Sequence, residues 1–335
     1  MTVERALADR RLVVVLGPGG VGKTTASALL ALRLARRRRT LVFTADPARR
    51  LADALGVPLA RTPVRVRENL HACMLDPKAS LDALVSTYAR PRERDAIFAS
   101  PLYAHLSDAF AGSEDFVAMG DLYEHVESGD FETIVVDTPP SRHAVDFLDV
   151  PSRLLRVFET GAVRWVLRPG GFLAGGAASL LATATSGEYA RDLAGFFAAF
   201  GRMFEELEAR ARRMQTLLGD PASTATILVA APEAAAVRSA AALATRLAER
   251  GAPPAAVIVN RVLPPIDLPG PSVPAGFGDL APRVERAARL YEALRAEEAP
   301  HAAAALALAP AGARVAARAG GLRTLARLEE AAREL

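Results

Sequence analysis

Apolar residues in this chain follow two rhythms. Short unbroken runs rich in β-branched side chains alternate with longer stretches whose apolar positions recur every three or four residues. The run Arg11 to Leu16 (RLVVVL) sets the first pattern. An unbroken run predicts a strand buried on both faces, because a half-exposed strand would alternate apolar and polar positions. Similar runs at Thr40–Thr44, Glu132–Asp137, Thr224–Ala230 and Ala255–Asn260 predict further strands. Val64 to Leu75 reads as one more strand with a turn at Asp76-Pro77, and Ala303 to Leu308 as the last. Helical spacing marks Lys23–Arg37, Glu233–Arg250, Leu280–Glu298 and Gly321–Glu334. Alternation of strand and helix predicts an α/β fold, a doubly wound and mostly parallel sheet covered on both faces.

Two long helical stretches interrupt that alternation. The expected core is residues 1–75, 131–151 and 220–335, with 76–130 and 152–219 forming an inserted helical subdomain. Pro264 to Pro274 is a surface loop by its Pro and Gly content. From Tyr189 to Leu218 a wide apolar stripe includes Phe196, Phe200, Met203, Phe204, Leu207 and Met214. Core packing is its plain explanation; a groove for a hydrophobic client helix is the sharper one. The uncharged stretch Pro169 to Ser186 is too short and too glycine-broken for a membrane span of about 20 apolar residues. The C-terminal leucines 322, 325, 328 and 335 are expected to pack on the sheet, since their polar face is not strongly basic.

Composition narrows the function classes. The 335 residues carry 41 Lys and Arg against 38 Asp and Glu, a net charge of only +3. No basic stripe with interleaved aromatics accompanies it, so nucleic acid is not an expected partner. Arg36 to Arg39 fall where the first long helix should end and read as a solvated helix terminus. The single cysteine, Cys73, excludes intrachain disulfides and thiolate zinc clusters. It fits a reducing, cytoplasmic setting, and polar Thr2, Glu4 and Arg5 after Met1 give no sign of a signal peptide.

Only two of the 41 basic residues are lysines, Lys23 and Lys78, and Lys23 lies in the stretch GPGGVGKTT. Gly17, Gly19, Gly20, Val21, Gly22, Lys23, Thr24 and Thr25 match the spacing G-x-x-x-x-G-K-T between a predicted strand and a predicted helix. Such a loop curls consecutive N–H groups around a phosphate, and its lysine reaches the outer phosphates as a point charge. Thr24 then offers a hydroxyl to Mg²⁺. Asp137 ends a buried strand and is delivered to the same sheet edge, where a carboxylate can serve the metal; its alternative role is a helix cap or turn. Asp46, in TADPA after the second strand, is placed to hold or deprotonate an attacking water. Its alternative is an N-cap with Pro47 at the first helical position.

Three motifs, GPGGVGKTT, TADPARRLADAL and VVDTPPSRHAVDFLDVP, together resemble the arsenite-pump and tail-anchored-protein-targeting ATPases. That family belongs to the deviant-Walker branch of phosphate-loop proteins, with the nitrogenase iron protein and the Min and Par ATPases. Asn69-Leu70, Leu75-Asp76, Gly112 to Tyr123 and Val257 to Arg261 extend the likeness. The resemblance implies an ATP- and Mg²⁺-dependent ATPase acting as a dimer with facing nucleotide sites. It assigns Asp46 to water activation, Asp137 to the metal and residues 137–143 to a second switch. It also assigns Asn260, with Arg261 beside it, to the adenine edge, and Pro310 to a flank of the base.

Two departures matter. The family loop usually reads GKGGVGKT, whose first lysine enters the partner's site; here that position is Pro18. A cation supplied in trans can raise phosphoryl-transfer rates by orders of magnitude. Slow hydrolysis, substitution by an arginine such as Arg142, Arg49 or Arg50, or a heterodimer with a lysine-bearing paralogue would each accommodate its loss. A single cysteine also speaks against thiol-based arsenite transport and against a zinc clamp between subunits. Two readings follow: an ATPase coupled to a hydrophobic or membrane-protein client, and a nucleotide-binding regulatory subunit. A metabolic kinase lacks a second-substrate motif.

Overall fold

β1 (Leu12–Leu16), the first predicted strand, lies inside an eight-stranded sheet whose order is β3-β4-β2-β5-β1-β6-β7-β8. The computed structural model describes residues 2–46, 48–89, 91–99, 103, 114–139, 146–159, 206–266, 280–322 and 324–335. The other strands are β2 (Thr40–Thr44), β3 (Val64–Arg65), β4 (Leu70–Met74), β5 (Thr133–Asp137), β6 (Thr224–Ala230), β7 (Pro254–Val262) and β8 (Gly312–Ala316). All pairings are parallel except β3 with β4.

The unbroken hydrophobic runs have the cause expected of them. Val13 and Val15 of β1 enter one core, whereas Leu12, Val14 and Leu16 enter the other. On the first face lie α1 (Val3–Ala6), α2 (Lys23–Leu34), α3 (Arg50–Leu55) and the C-terminal α11 (Leu325–Ala331). Leu322, Leu325, Leu328 and Leu335 belong to this core, as their spacing predicts. On the second face lie α6 (Glu114–Ser128), α7 (Asp146–Glu159), α8 (206–219), α9 (Ala234–Glu249) and α10 (Ala281–Leu306). Two shorter helices, α4 (Pro77–Tyr88) and α5 (Pro91–Ala99), follow β4. Asp76 caps α4 by accepting a hydrogen bond from Ala79 N at 3.0 Å, and Pro77 opens its first turn.

Two predicted elements are corrected. Val64 to Leu75 is a hairpin rather than one strand: polar Arg67-Glu68-Asn69 turns the chain, and Arg67 N donates to Leu70 O at 3.1 Å. Ala303 to Leu308 is the end of α10 and its following turn, not a strand. An alanine-rich run favours helix, and Ala302 and Ala305 bury one helical face. The true last strand, GARVA, buries only Val315 and so carries no apolar run to find.

α6 sends Val117, Leu122, Tyr123 and Val126 into the sheet's second core, and α8 sends Met214 and Leu218 there too. Much of the segment 152–219, including the uncharged stretch and most of the phenylalanine stripe, lies outside the described residues.

Candidate nucleotide-binding site

Parallel strands bring their C-terminal ends to one edge, and β1, β2 and β5 lie side by side there. Asp137 of β5 pairs in register with Val15 on one side and Thr44 on the other. The loop Gly17 to Gly22 leaves β1 at that edge and feeds directly into α2. Gly22 adopts φ 93° and Gly20 φ 79°, backbone that side-chain-bearing residues rarely adopt. Gly17 is needed for space instead: a Cβ there would stand 2.5 Å from the Val229 carbonyl oxygen of β6.

Lys23 is 8% exposed, and its ammonium donates to Gly17 O at 3.3 Å, folding back over its own loop. Burial pulls its pKa below the ordinary lysine value; the nearby charges of Asp137 and Asp46 oppose that pull, and Arg50 adds to it. Asp137 is fully buried. Its carboxylate accepts from Ser27 Oγ at 3.3 Å and from Thr44 Oγ1 at 3.0 Å. Burial pushes its pKa up to about 6, against hydrogen bonds from Thr24, Thr44 and Ser27 and the charge of Lys23. A carboxylate so buried calls for compensating positive charge.

Asp46 sits beside this pair, 6% exposed. Its Oδ1 accepts from Ala48 N at 2.9 Å and its Oδ2 pairs with Arg50 at 3.3 Å. The expected N-cap role is not what forms: the residue at the N-cap of α3 is Arg49, and Asp46 makes a local turn before it. Pro47, the residues from Pro140 to His143 and with them Arg142 lie outside the described residues.

Asn260 reaches the loop from the end of β7. Its amide nitrogen donates to Val21 O at 2.9 Å, and Arg261 Nη2 donates to Gly20 O at 2.7 Å. Pro310 is not brought here. It precedes β8 instead of following it: the register Leu16–Leu228–Val257–Gly312 sets the start of β8 level with the end of β1, so Pro310 lies before the strand, three strands away from the loop. Taking Ala303–Leu308 as the last strand had put Pro310 on the wrong side of it. Sequence reasoning missed Ser27, and it named Arg50 only as a candidate replacement for the loop lysine, not as the partner of Asp46. Ser27 was findable, since it lies four residues after Lys23 and so on the same helix face.

Thr24 and Asp137 offer oxygen donors, which suit Mg²⁺ held mostly by phosphates and a few protein groups. Among the described residues no group of three or more His, Cys, Asp or Glu could form a metal cage by itself. The donor set therefore fits a metal that arrives with a phosphate ligand. Among the described residues no helix is long and apolar enough to cross a membrane.

A stretch of ATPase GET3 from Malassezia globosa is 35% identical over 141 residues, 41% of each chain. The matched region thus spans well under half that relative's length. The ATPase ASNA1 homolog of Cryptosporidium parvum is 29% identical over 268 residues, 79% of this chain and 68% of its own. ATPase GET3 of Chaetomium globosum is 28% identical over 270 residues, 79% of this chain and 77% of its own. The model of the anion-transporting ATPase family matches residues 10–269, from the strand before the phosphate loop to beyond Arg261. With that match covering most of the sheet and every residue of the site just described, the chain belongs to the anion-transporting ATPase family.

Proposed function

We propose that this protein is an Mg²⁺- and ATP-dependent ATPase whose dimer opens and closes with nucleotide state, coupling hydrolysis to capture and release of a hydrophobic protein client. The observation that carries the reading is the buried Lys23 set between Asp137 and Asp46 at a glycine loop too tight for other residues. In this reading the loop N–H groups from Gly19 to Thr25 and the Lys23 ammonium bind the phosphates. Thr24 and Asp137 hold Mg²⁺, which supplies charge neutralisation on the phosphates. Asp46 orients the attacking water and takes its proton. Asn260 and Arg261 complete the nucleotide side of the site; Pro310, which precedes β8 instead of following it, is dropped from it.

Relatives named as ATPases support the activity, and the family supports ATP as the nucleotide. The hydrophobic client is carried by the family likeness alone: the gap between α4, α6, α7 and α8 is about 50 Å³, lined by Leu81, Val117, Met119 and Met214 together with Asp121, Glu124 and Arg210, and is too small to hold a client helix. α4, α6, α8 and the C-terminal part of α7 fall within the proposed helical subdomain, 76–130 and 152–219. A cytoplasmic location accords with Cys73, whose thiol burial pushes well above its ordinary pKa and so keeps inert.

Pro18 favours a second reading, a regulatory subunit with little activity of its own, paired with a paralogue that supplies the lysine. Mg²⁺-dependent ATP hydrolysis by the purified chain, with Lys23→Ala as blank, separates the two. Turnover above the blank supports the self-sufficient ATPase. Nucleotide binding without turnover supports the paired subunit, and absence of binding overturns both.

A further inference from the structure

The phosphate loop from Gly17 to Thr25 carries one side-chain cation, Lys23, because its second position is Pro18. Phosphoryl transfer spreads negative charge over the γ-phosphate oxygens, and its catalysis is almost entirely positioning and charge stabilisation. A second cation stands at this edge of the sheet. Arg50 Nη1 lies 3.3 Å from Asp46 Oδ2, and its charge reaches Lys23, whose pKa it helps to pull down. Among the described residues it is the one guanidinium in contact with Asp46.

The fold anchors the backbone of this arginine and leaves its side chain loose. Leu51 and Leu55 bury α3 in the first core, and Gly56 at φ 69° ends the helix. The chain enters α3 through the turn in which Asp46 Oδ1 accepts from Ala48 N at 2.9 Å. Arg50 is thereby set at the first helical residue, four positions after Asp46, while its side chain is 66% exposed. An ion pair with one partner so exposed is weak. A phosphate beside Lys23 offers more charge than a carboxylate, with oxygens spaced for the guanidinium fork. The contact also obstructs Asp46 as a base, since a proton delivered to Oδ2 would meet the N–H of Arg50 there.

We propose that Arg50 is a catalytic residue, a cation supplied within the chain that passes from Asp46 to the γ-phosphate of bound triphosphate. The proposal rests on the ATPase reading of this site. One movement then does two things: it neutralises the phosphate and clears Asp46 Oδ2. As the water oxygen bonds to the γ-phosphorus, the bond from phosphorus to the β,γ-bridging oxygen breaks. ADP leaves with that electron pair, and the water proton goes to Asp46, which later releases it to solvent. Arg50 gives up no proton and holds the charge of the transferring group throughout.

Calorimetry of wild type and Arg50→Ala with Mg²⁺-ADP and with the non-hydrolysable β,γ-imido analogue of Mg²⁺-ATP tests this, together with ATP turnover. Arg50→Ala should weaken the analogue about tenfold, the loss of one charge-assisted contact. Its affinity for ADP, which lacks the γ-phosphate, should stay unchanged and show that the site is still folded. Turnover should fall by about a thousandfold, as for an arginine that meets the transferring phosphoryl group. An unchanged ratio of analogue to ADP affinity would overturn the proposal. So would turnover equal to or above wild type, the sign of an arginine that only masks Asp46. Where wild type itself shows no turnover, the affinity ratio decides alone. A wild-type protein that binds neither nucleotide overturns the proposal together with the triphosphate reading beneath it.

Discussion

Asp137 ends β5, Asp46 follows β2 and Lys23 opens α2 after the loop from β1, which puts two carboxylates and one ammonium in a site nearly closed to water. Removing one of these charges leaves the others less compensated, which makes substitutions here informative. Lys23→Ala is expected to weaken Mg²⁺-ATP binding by about ten- to a hundredfold, the worth of one charge-assisted hydrogen bond; calorimetry reads this, and unchanged affinity removes Lys23 from the phosphate site. Asp46→Asn should bind Mg²⁺-ATP normally and lose about a hundredfold or more in turnover, as expected for a missing general base. Normal turnover would take Asp46 out of the mechanism. Loop spacing made Lys23 and Thr24 legible in the sequence, because the motif is local. The Thr44 hydroxyl on Asp137 and the grip of Asn260 on Val21 were not legible, because each joins separate elements; Ser27 shares the helix face of Lys23, but its contact with Asp137 across to β5 was not legible either.

At the scale of elements, strands were found wherever both faces are buried and missed where they are not. β3 spans only two residues at the sheet edge, and β8 closes the other edge with a single buried residue. α6 offers a test of how helix and sheet are joined. His125 of that helix lies 3.5 Å from Cys73 Sγ of β4 and stacks at a tilt near Phe43 of β2. Burial pulls its pKa below the ordinary histidine value; Arg61 adds to that pull, while Glu124 and Asp130 oppose it. The sign follows from linkage. The unfolded chain takes up the proton first as pH falls through about 6.5, so stability present above that pH is lost progressively below it. His125→Phe should therefore lose less stability than wild type between pH 8 and pH 5, measured by urea unfolding. His71, shifted in the same direction, is common to both proteins and cancels in the difference. Equal pH dependence would show that His125 is not buried neutral.

For the whole molecule, the proposed cycle requires two copies to respond to nucleotide. The Asp46→Asn protein, binding without turnover, should form a more compact dimer in Mg²⁺-ATP than in Mg²⁺-ADP, read as a smaller radius of gyration by X-ray scattering. Identical scattering in both would remove nucleotide-driven closure from the function. The sequence by itself determined the class of fold and the glycine-rich strand–loop–helix, because backbone periodicity and a contiguous motif depend on near neighbours, and it pointed to the family through a set of ordered motifs. It also determined the absence of the loop lysine at Pro18. Only the tertiary structure decided which strands lie at the edges and that Pro310 comes before the last strand, not after it. It alone decided that Asn260 grips the loop it faces, 239 residues away in the chain. Those contacts depend on strand order, which is not encoded in the spacing of residues along a single element.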